Sequence, residues 1–110
     1  MLKILLSPAK SIDKNAQCLN DATIPQFEIQ AEQLVLKLKS KNPKALSKLM
    51  SISDNLAQMN WTRFQNWKPM KKSSNYMQPV FCFTGEVYRG LDAATLGSDE
   101  IKYAQQSIRI

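Results

Sequence analysis

Between Lys37 and Lys72 the sequence places nine of its fifteen basic residues (Lys37, Lys39, Lys41, Lys44, Lys48, Arg63, Lys68, Lys71 and Lys72) against a single carboxylate, Asp54. About a third of the chain therefore carries +8, and the other residues sum to −2. Cations crowded in this way neutralise a polyanion, because a cluster focuses the field that scattered lysines spread thinly over a surface. Nucleic acid is the first candidate partner, although charge alone does not separate DNA from RNA or from an acidic surface. Lys44, Lys48, Arg63, Lys71 and Lys72 are the candidate phosphate contacts within the stretch.

At its centre Leu49–Ala57 reads L-M-S-I-S-D-N-L-A, similar to a helix-hairpin-helix pattern of an apolar residue, a tight turn of small residue, Ile and small residue, then Ala. In such a motif Leu49, Ile52 and Ala57 would pack the two helices, and N–H groups of the turn and of the next helix would face a phosphate. Ser51 and Ser53 stand where that pattern has glycines, so their hydroxyls are the donors to expect. The plainer reading is a helical hairpin that only packs, with solvated lysines on its outer face.

Two further segments hold reactive groups. Ser7-Pro8-Ala9-Lys10-Ser11 follows an apolar run, and loops at the carboxyl ends of strands are where ligands of sheet-based folds sit; Lys10 would act as a point charge and Ser7 as a hydrogen-bond donor. Gly85-Glu86-Val87-Tyr88-Arg89-Gly90-Leu91 is bounded by glycines but lacks the Lys-Ser/Thr of a phosphate-binding P-loop. Arg89 could hold a phosphate and Glu86 could move a proton, whereas a turn with an anchored Tyr88 is the blander account. Trp61 and Trp67 read as packing residues, with Trp67 the better candidate for an exposed stacking surface. Cys82 lies inside Val80–Phe83 and reads as a core thiol.

Much chemistry is excluded. The chain has no histidine, so Ser-His-Asp and Cys-His catalysis and the common zinc sites lack their imidazole. The carboxylates show no metal-ligand spacing, so neither a metal nor a cofactor is expected. Cys18 and Cys82 lie far apart in unlike surroundings, which argues for a reducing, cytoplasmic setting more than for a disulfide scaffold. No apolar run approaches a membrane span, and none resembles a targeting segment.

The elements that must position these groups follow from periodicity. A chain of 110 residues with 44% hydrophobic content suits one core, and 1–110 reads as a single domain, an incomplete part of a larger fold. The class is mixed α/β, with short buried strands near 2–6 and 79–84 and a helix-hairpin-helix-like element near 43–65. Ala31, Leu34, Val35 and Leu38 form the stripe of a helix over Glu28–Lys39. Asn42-Pro43 starts a second helix running to Met50, and Ser53 or Asp54 caps a third with Leu56, Ala57, Trp61 and Phe64 facing inward. Lys68–Gln78 reads as a basic, mobile loop. Ser98 caps a last helix whose inner face is Ile101, Ala104 and Ile108. The chain then stops directly after an apolar residue, which suggests an interruption.

Together, L-K-I-L-L-S-P-A-K-S-I-D at the start, L-S-K-L-M-S-I-S-D-N-L-A-Q-M-N-W-T-R-F-Q-N-W in the middle and F-T-G-E-V-Y-R-G-L-D-A near the end resemble the YaaA family of bacterial peroxide-stress proteins, in matching order. Members are longer, and the chain corresponds to their N-terminal part. The resemblance implies a cytoplasmic protein that limits peroxide damage, linked to lower free iron. It also implies a helix-hairpin-helix and a basic cleft binding double-stranded DNA. No enzymatic activity is established for the family. The hairpin maps to Leu49–Ala57, and Ser7–Asp13 and Gly85–Leu91 are natural cleft walls.

Three functions remain open at this level. The first is a DNA-binding stress protein that contacts phosphates through Lys10, Lys44, Lys48, Ser51, Ser53, Arg63, Lys71, Lys72 and Arg89 without reading sequence. The second is an enzyme acting on a phosphorylated or nucleic-acid substrate, with Lys10 and Ser7 as anion clamp and Glu86 or Tyr88 moving the proton. The third is a non-functional truncated fragment.

Overall fold

The computed structural model describes residues 2–73 and 76–110. It is mixed α/β and mostly helical, and its chain divides into two compact units: Met1–Ala22 with Tyr76–Ile110, and Thr23–Asn75.

The second unit is helical. Helix α1, Glu28–Lys39, falls where the periodicity predicts, with Val35 buried and Leu38 half-buried, while Ala31 and Leu34 of the same stripe stay exposed. Helix α2, Pro43–Met50, begins as its sequence directs: the Asn42 side chain accepts the Ala45 N–H at 2.8 Å, and Pro43 occupies a first-turn position that needs no N–H partner. Helix α3, Asp54–Asn66, is capped by Ser53, whose Oγ accepts from Leu56 N–H at 3.3 Å. Helix α3 packs against both α1 and α2. Each helix contributes one buried residue, Val35, Leu46 and Ala57, the latter two fully inaccessible.

Beyond α3 the expected loop is partly structured. Met70–Lys72 makes a 3-10 turn, and its first N–H donates to the Glu28 carboxylate at the start of α1. The expectation for Ser74 and Asn75 lies outside the described residues.

The first unit carries the sheet. Strand β1, Ile4–Leu5, pairs in parallel with β2, Ile108–Arg109, in the register Ile4 to Ile108 and Leu5 to Arg109. A parallel pair needs a crossover, and here most of the chain supplies it. The expected buried strand over 2–6 is shorter and exposed; Leu5 keeps 79% of its surface accessible. Among the described residues the two strands have no further strand on either flank, so apolar sequence does not by itself bury them.

The second expected strand is absent, because Pro79–Cys82 forms a short helix, α4. A four-residue apolar run does not distinguish strand from buried helix, and Pro79 at the first helical position tips it toward helix. Only Phe83 is strand-like, bridging Ile12 in antiparallel fashion. Helix α5, Glu86–Leu91, starts at Gly85, whose φ of 111° is one that side-chain-bearing residues rarely adopt. Asp92, left-handed with φ 45°, ends α5 and leads into a 3-10 turn at Ala93–Thr95. Helix α6, Ser98–Ser107, is capped by Gly97 and not by Ser98: the Gly97 N–H donates to the Glu100 carboxylate at 2.6 Å. Ile101 and Ala104 are half-buried, but Ile108 has already left the helix for β2.

Candidate nucleic-acid interface

The division into units also divides the charge. Thr23–Asn75 holds nine Lys and Arg residues against Glu28, Glu32 and Asp54, a net +6, while the other unit balances six basic residues with six acidic ones. All of the protein's net charge therefore falls on the helical unit.

Within that unit the lysines of α2 are set by helical spacing. Lys44 and Lys48 stand one turn apart on one face, and Leu46 turns inward between them. Arg63 is exposed on α3, and Lys71 and Lys72 are exposed on the 3-10 turn that Glu28 tethers. These five cations enter no ion pair among the described residues. Lys41 and Lys68, which do not stand out in the sequence, are exposed in the same way. Lys39 is different. It is half-buried, and its ammonium donates to the Trp67 carbonyl at 3.2 Å, where α3 ends, while Gln65 Nε2 donates to the Lys39 carbonyl at 3.0 Å. A cation at a helix C-terminus neutralises carbonyl charge there, so Lys39 serves the fold. Trp61 and Trp67 are both half-buried.

The turn between α2 and α3 is closed from within. Ser51 takes the left-handed conformation, φ 53° and ψ 50°, that usually calls for glycine. The Ser47 carbonyl accepts from both Ser51 and Ile52, the latter at 3.2 Å, and Ser47 Oγ donates to the Ile52 carbonyl at 2.7 Å. This is a Schellman-type stop. With Leu56 donating to Ser53 Oγ and Ala57 to the Ser53 carbonyl, the turn leaves the N–H groups of Ser53, Asp54 and Asn55 without a backbone partner among the described residues. The N–H groups of Ser51 and Ile52 are thus taken, while those at the start of α3 stay open to an anion with the Asp54 carboxylate beside them. Lys44, Asp54 and Gln58 line a shallow depression with Pro43. Of the three residues expected to pack the hairpin, Ala57 is buried and Ile52 half-buried, but Leu49 is 63% exposed; Leu46, three residues earlier, fills that role.

Lys10 and Arg89 lie in the other unit, both exposed. Arg89 forms an ion pair with Glu86 one turn away, which shares its charge with a carboxylate. The segments carrying these residues are joined: Ser11 Oγ and Thr84 Oγ1 hydrogen-bond, Thr84 N–H donates to the Ser11 carbonyl at 3.2 Å, and Asp13 N–H donates to the Cys82 carbonyl at 2.8 Å. Tyr88 is buried, its ring edge-on to Phe83 with centroids 5.4 Å apart, and its hydroxyl donates to the Ser7 carbonyl at 2.5 Å. Burial pushes the Tyr88 phenol above its ordinary range. Tyr88 is thus the anchor that the blander reading expects. Sequence alone does not reveal that the two segments meet, since hydrogen bonds across about seventy residues or more leave no local pattern.

A family model described as peroxide stress protein YaaA matches residues 2–110. The chain belongs to the YaaA family of peroxide stress proteins. Its relatives include a UPF0246 protein of Burkholderia thailandensis, 41% identical over 108 residues that make up 97% of this chain and 42% of that protein. One of Cupriavidus metallidurans is 42% identical over 108 residues, 97% of this chain and 41% of its own length. The chain spans about two fifths of the curated relatives it matches. The three motifs that carry the YaaA resemblance fall, in this structure, on β1 and the loop after it (2–13), on the segment 83–93 that holds α5 and is hydrogen-bonded to that loop, and on the α2–α3 hairpin. Among the described residues, no helix is long and apolar enough to cross a membrane, and no three His, Cys, Asp or Glu side chains gather as a metal site.

Proposed function

We propose that this YaaA-family chain acts in the peroxide-stress response in the cytoplasm by binding the phosphate backbone of double-stranded DNA through its helical unit. The supporting observation is the concentration of the whole net charge of +6 on Thr23–Asn75, with Lys44, Lys48, Arg63, Lys71 and Lys72 exposed and unpaired among the described residues. Contacts of this kind position a duplex without reading bases. Ser51 and Ser53 contribute hydroxyls at the hairpin, beside the open N–H groups at the start of α3 and the lysine side chains. The family's link to free iron is proposed as indirect for this chain, which has no histidine and, among the described residues, no cluster of metal-ligating side chains.

The test is duplex binding measured across a salt series. Affinity falls linearly with log salt, and Lys44→Ala with Lys48→Ala lowers the slope by about 0.9 for each lost phosphate contact. Binding that ignores salt, or that survives both substitutions with an unchanged slope, sinks the reading.

A further inference from the structure

Two thiols lie outside the DNA reading. Cys82 closes α4 and is buried, while Cys18 is half-exposed in the long loop that follows β1, and both are free. That loop is fastened to α4 at both ends. Asp13 N–H donates to the Cys82 carbonyl at 2.8 Å, Leu19 N–H donates to Gln78 Oε1 at 2.8 Å, and Gln78 Nε2 donates to the Asp21 carbonyl at 3.3 Å. Gln78 stands one helical turn before Cys82, whose N–H donates to the Gln78 carbonyl at 3.2 Å. The loop therefore lies along the turn that carries Cys82, with Cys18 between the two fastenings. Burial, and after it the charge of Cys18, push the Cys82 thiol above its ordinary range, against a backbone hydrogen bond that pulls it down.

We infer that Cys18 and Cys82 are a peroxide-oxidisable pair, in which the accessible Cys18 reacts with hydrogen peroxide and Cys82 closes a disulfide. The Cys18 thiolate attacks one peroxide oxygen, the O–O bond breaks, and the departing hydroxide takes a proton to become water. Cys18 is then a sulfenic acid. The Cys82 sulfur attacks the Cys18 sulfur, the S–O bond breaks, and the second hydroxide leaves as water with the Cys82 proton. One peroxide is reduced by two electrons and two thiols become one disulfide. The order follows from access, since Cys18 is half-exposed and Cys82 is covered. The product pins the 13–21 loop to α4, and it does not depend on DNA binding.

The reduced 110-residue chain is treated with equimolar hydrogen peroxide, alkylated without reductant and mapped by mass spectrometry. A Cys18–Cys82 linked peptide that disappears on reduction supports the inference. Sulfinic acid on Cys18 with Cys82 still alkylated, a Cys18–Cys18 dimer alone, or two unreacted thiols overturns it. In Cys82→Ser, dimedone traps a sulfenic acid on Cys18; in Cys18→Ser, Cys82 oxidises about an order of magnitude more slowly, as its covered thiol requires. An unchanged Cys82 rate in Cys18→Ser reverses the assigned order and overturns the scheme. The linked-peptide measurement uses the unaltered chain, so it stands whether or not either variant folds.

Discussion

Tyr88 donates its hydroxyl to the carbonyl of Ser7, 81 residues earlier in the chain, at 2.5 Å. This contact fastens the F-T-G-E-V-Y-R-G segment to the S-P-A-K-S loop and spends the phenol on structure. Tyr88→Phe removes the bond and leaves a carbonyl short of a partner, which costs about 1 kcal/mol. Urea unfolding of the two chains measures it, and equal midpoints would show that the hydroxyl contributes nothing.

Alkaline pH should weaken the same unit. Tyr88 and Cys82 are both raised, so the native state holds their protons more tightly than the unfolded chain does. Their contribution is complete below the ordinary values, 9.0 for the thiol and 10.0 for the phenol, and is lost as pH rises through the raised native values. Unfolding midpoints should fall above pH 9, and Tyr88→Phe and Cys82→Ala should each flatten part of that fall.

Ser51 occupies a backbone conformation that costs a side-chain-bearing residue roughly 1–2 kcal/mol, offset in part by the greater unfolded-state freedom of glycine. Ser51→Gly should therefore stabilise the chain by about 0.5–1 kcal/mol in a thermal melt. Asn42→Ala, which removes the cap of α2, should cost about 1 kcal/mol. A destabilised Ser51→Gly variant would mean that the serine hydroxyl matters more to the turn than its backbone strain.

Lys10 and Arg89 sit in the unit with no net charge, and Arg89 is paired with Glu86. Lys10→Ala and Arg89→Ala should leave the salt slope of DNA binding almost unchanged, in contrast to the α2 lysines. A slope lowered by about one for either variant would extend the DNA contact to this unit.

Exposed apolar side chains are numerous, among them Leu2, Leu5, Phe27, Ile29 and Leu34. Binding of the dye ANS to the native chain should be strong. Fluorescence no higher than that of a well-packed control protein would show that these surfaces are covered in solution.

The sequence by itself determined the helices of the basic unit. The stripe over Glu28–Lys39, the Asn42-Pro43 start and the Ser53 cap are local signals, because spacing along a helix and the needs of its first turn involve only near neighbours. It also determined the charge cluster and, through three motifs, the family.

What the tertiary structure decided depends on partners distant in sequence. Whether Pro79–Cys82 is strand or helix, whether Leu5 or Leu49 is buried, and where Ile108 belongs turn on which surfaces meet, and short apolar runs look alike before they do. The same holds for the site residues. Composition could not show that Lys39 donates to the Trp67 carbonyl, that Arg89 stands beside Glu86, or that the Ser47 carbonyl takes the Ser51 and Ile52 N–H groups. A charge acts on a ligand only after the fold has satisfied its own carbonyls and carboxylates, and that accounting is done in three dimensions.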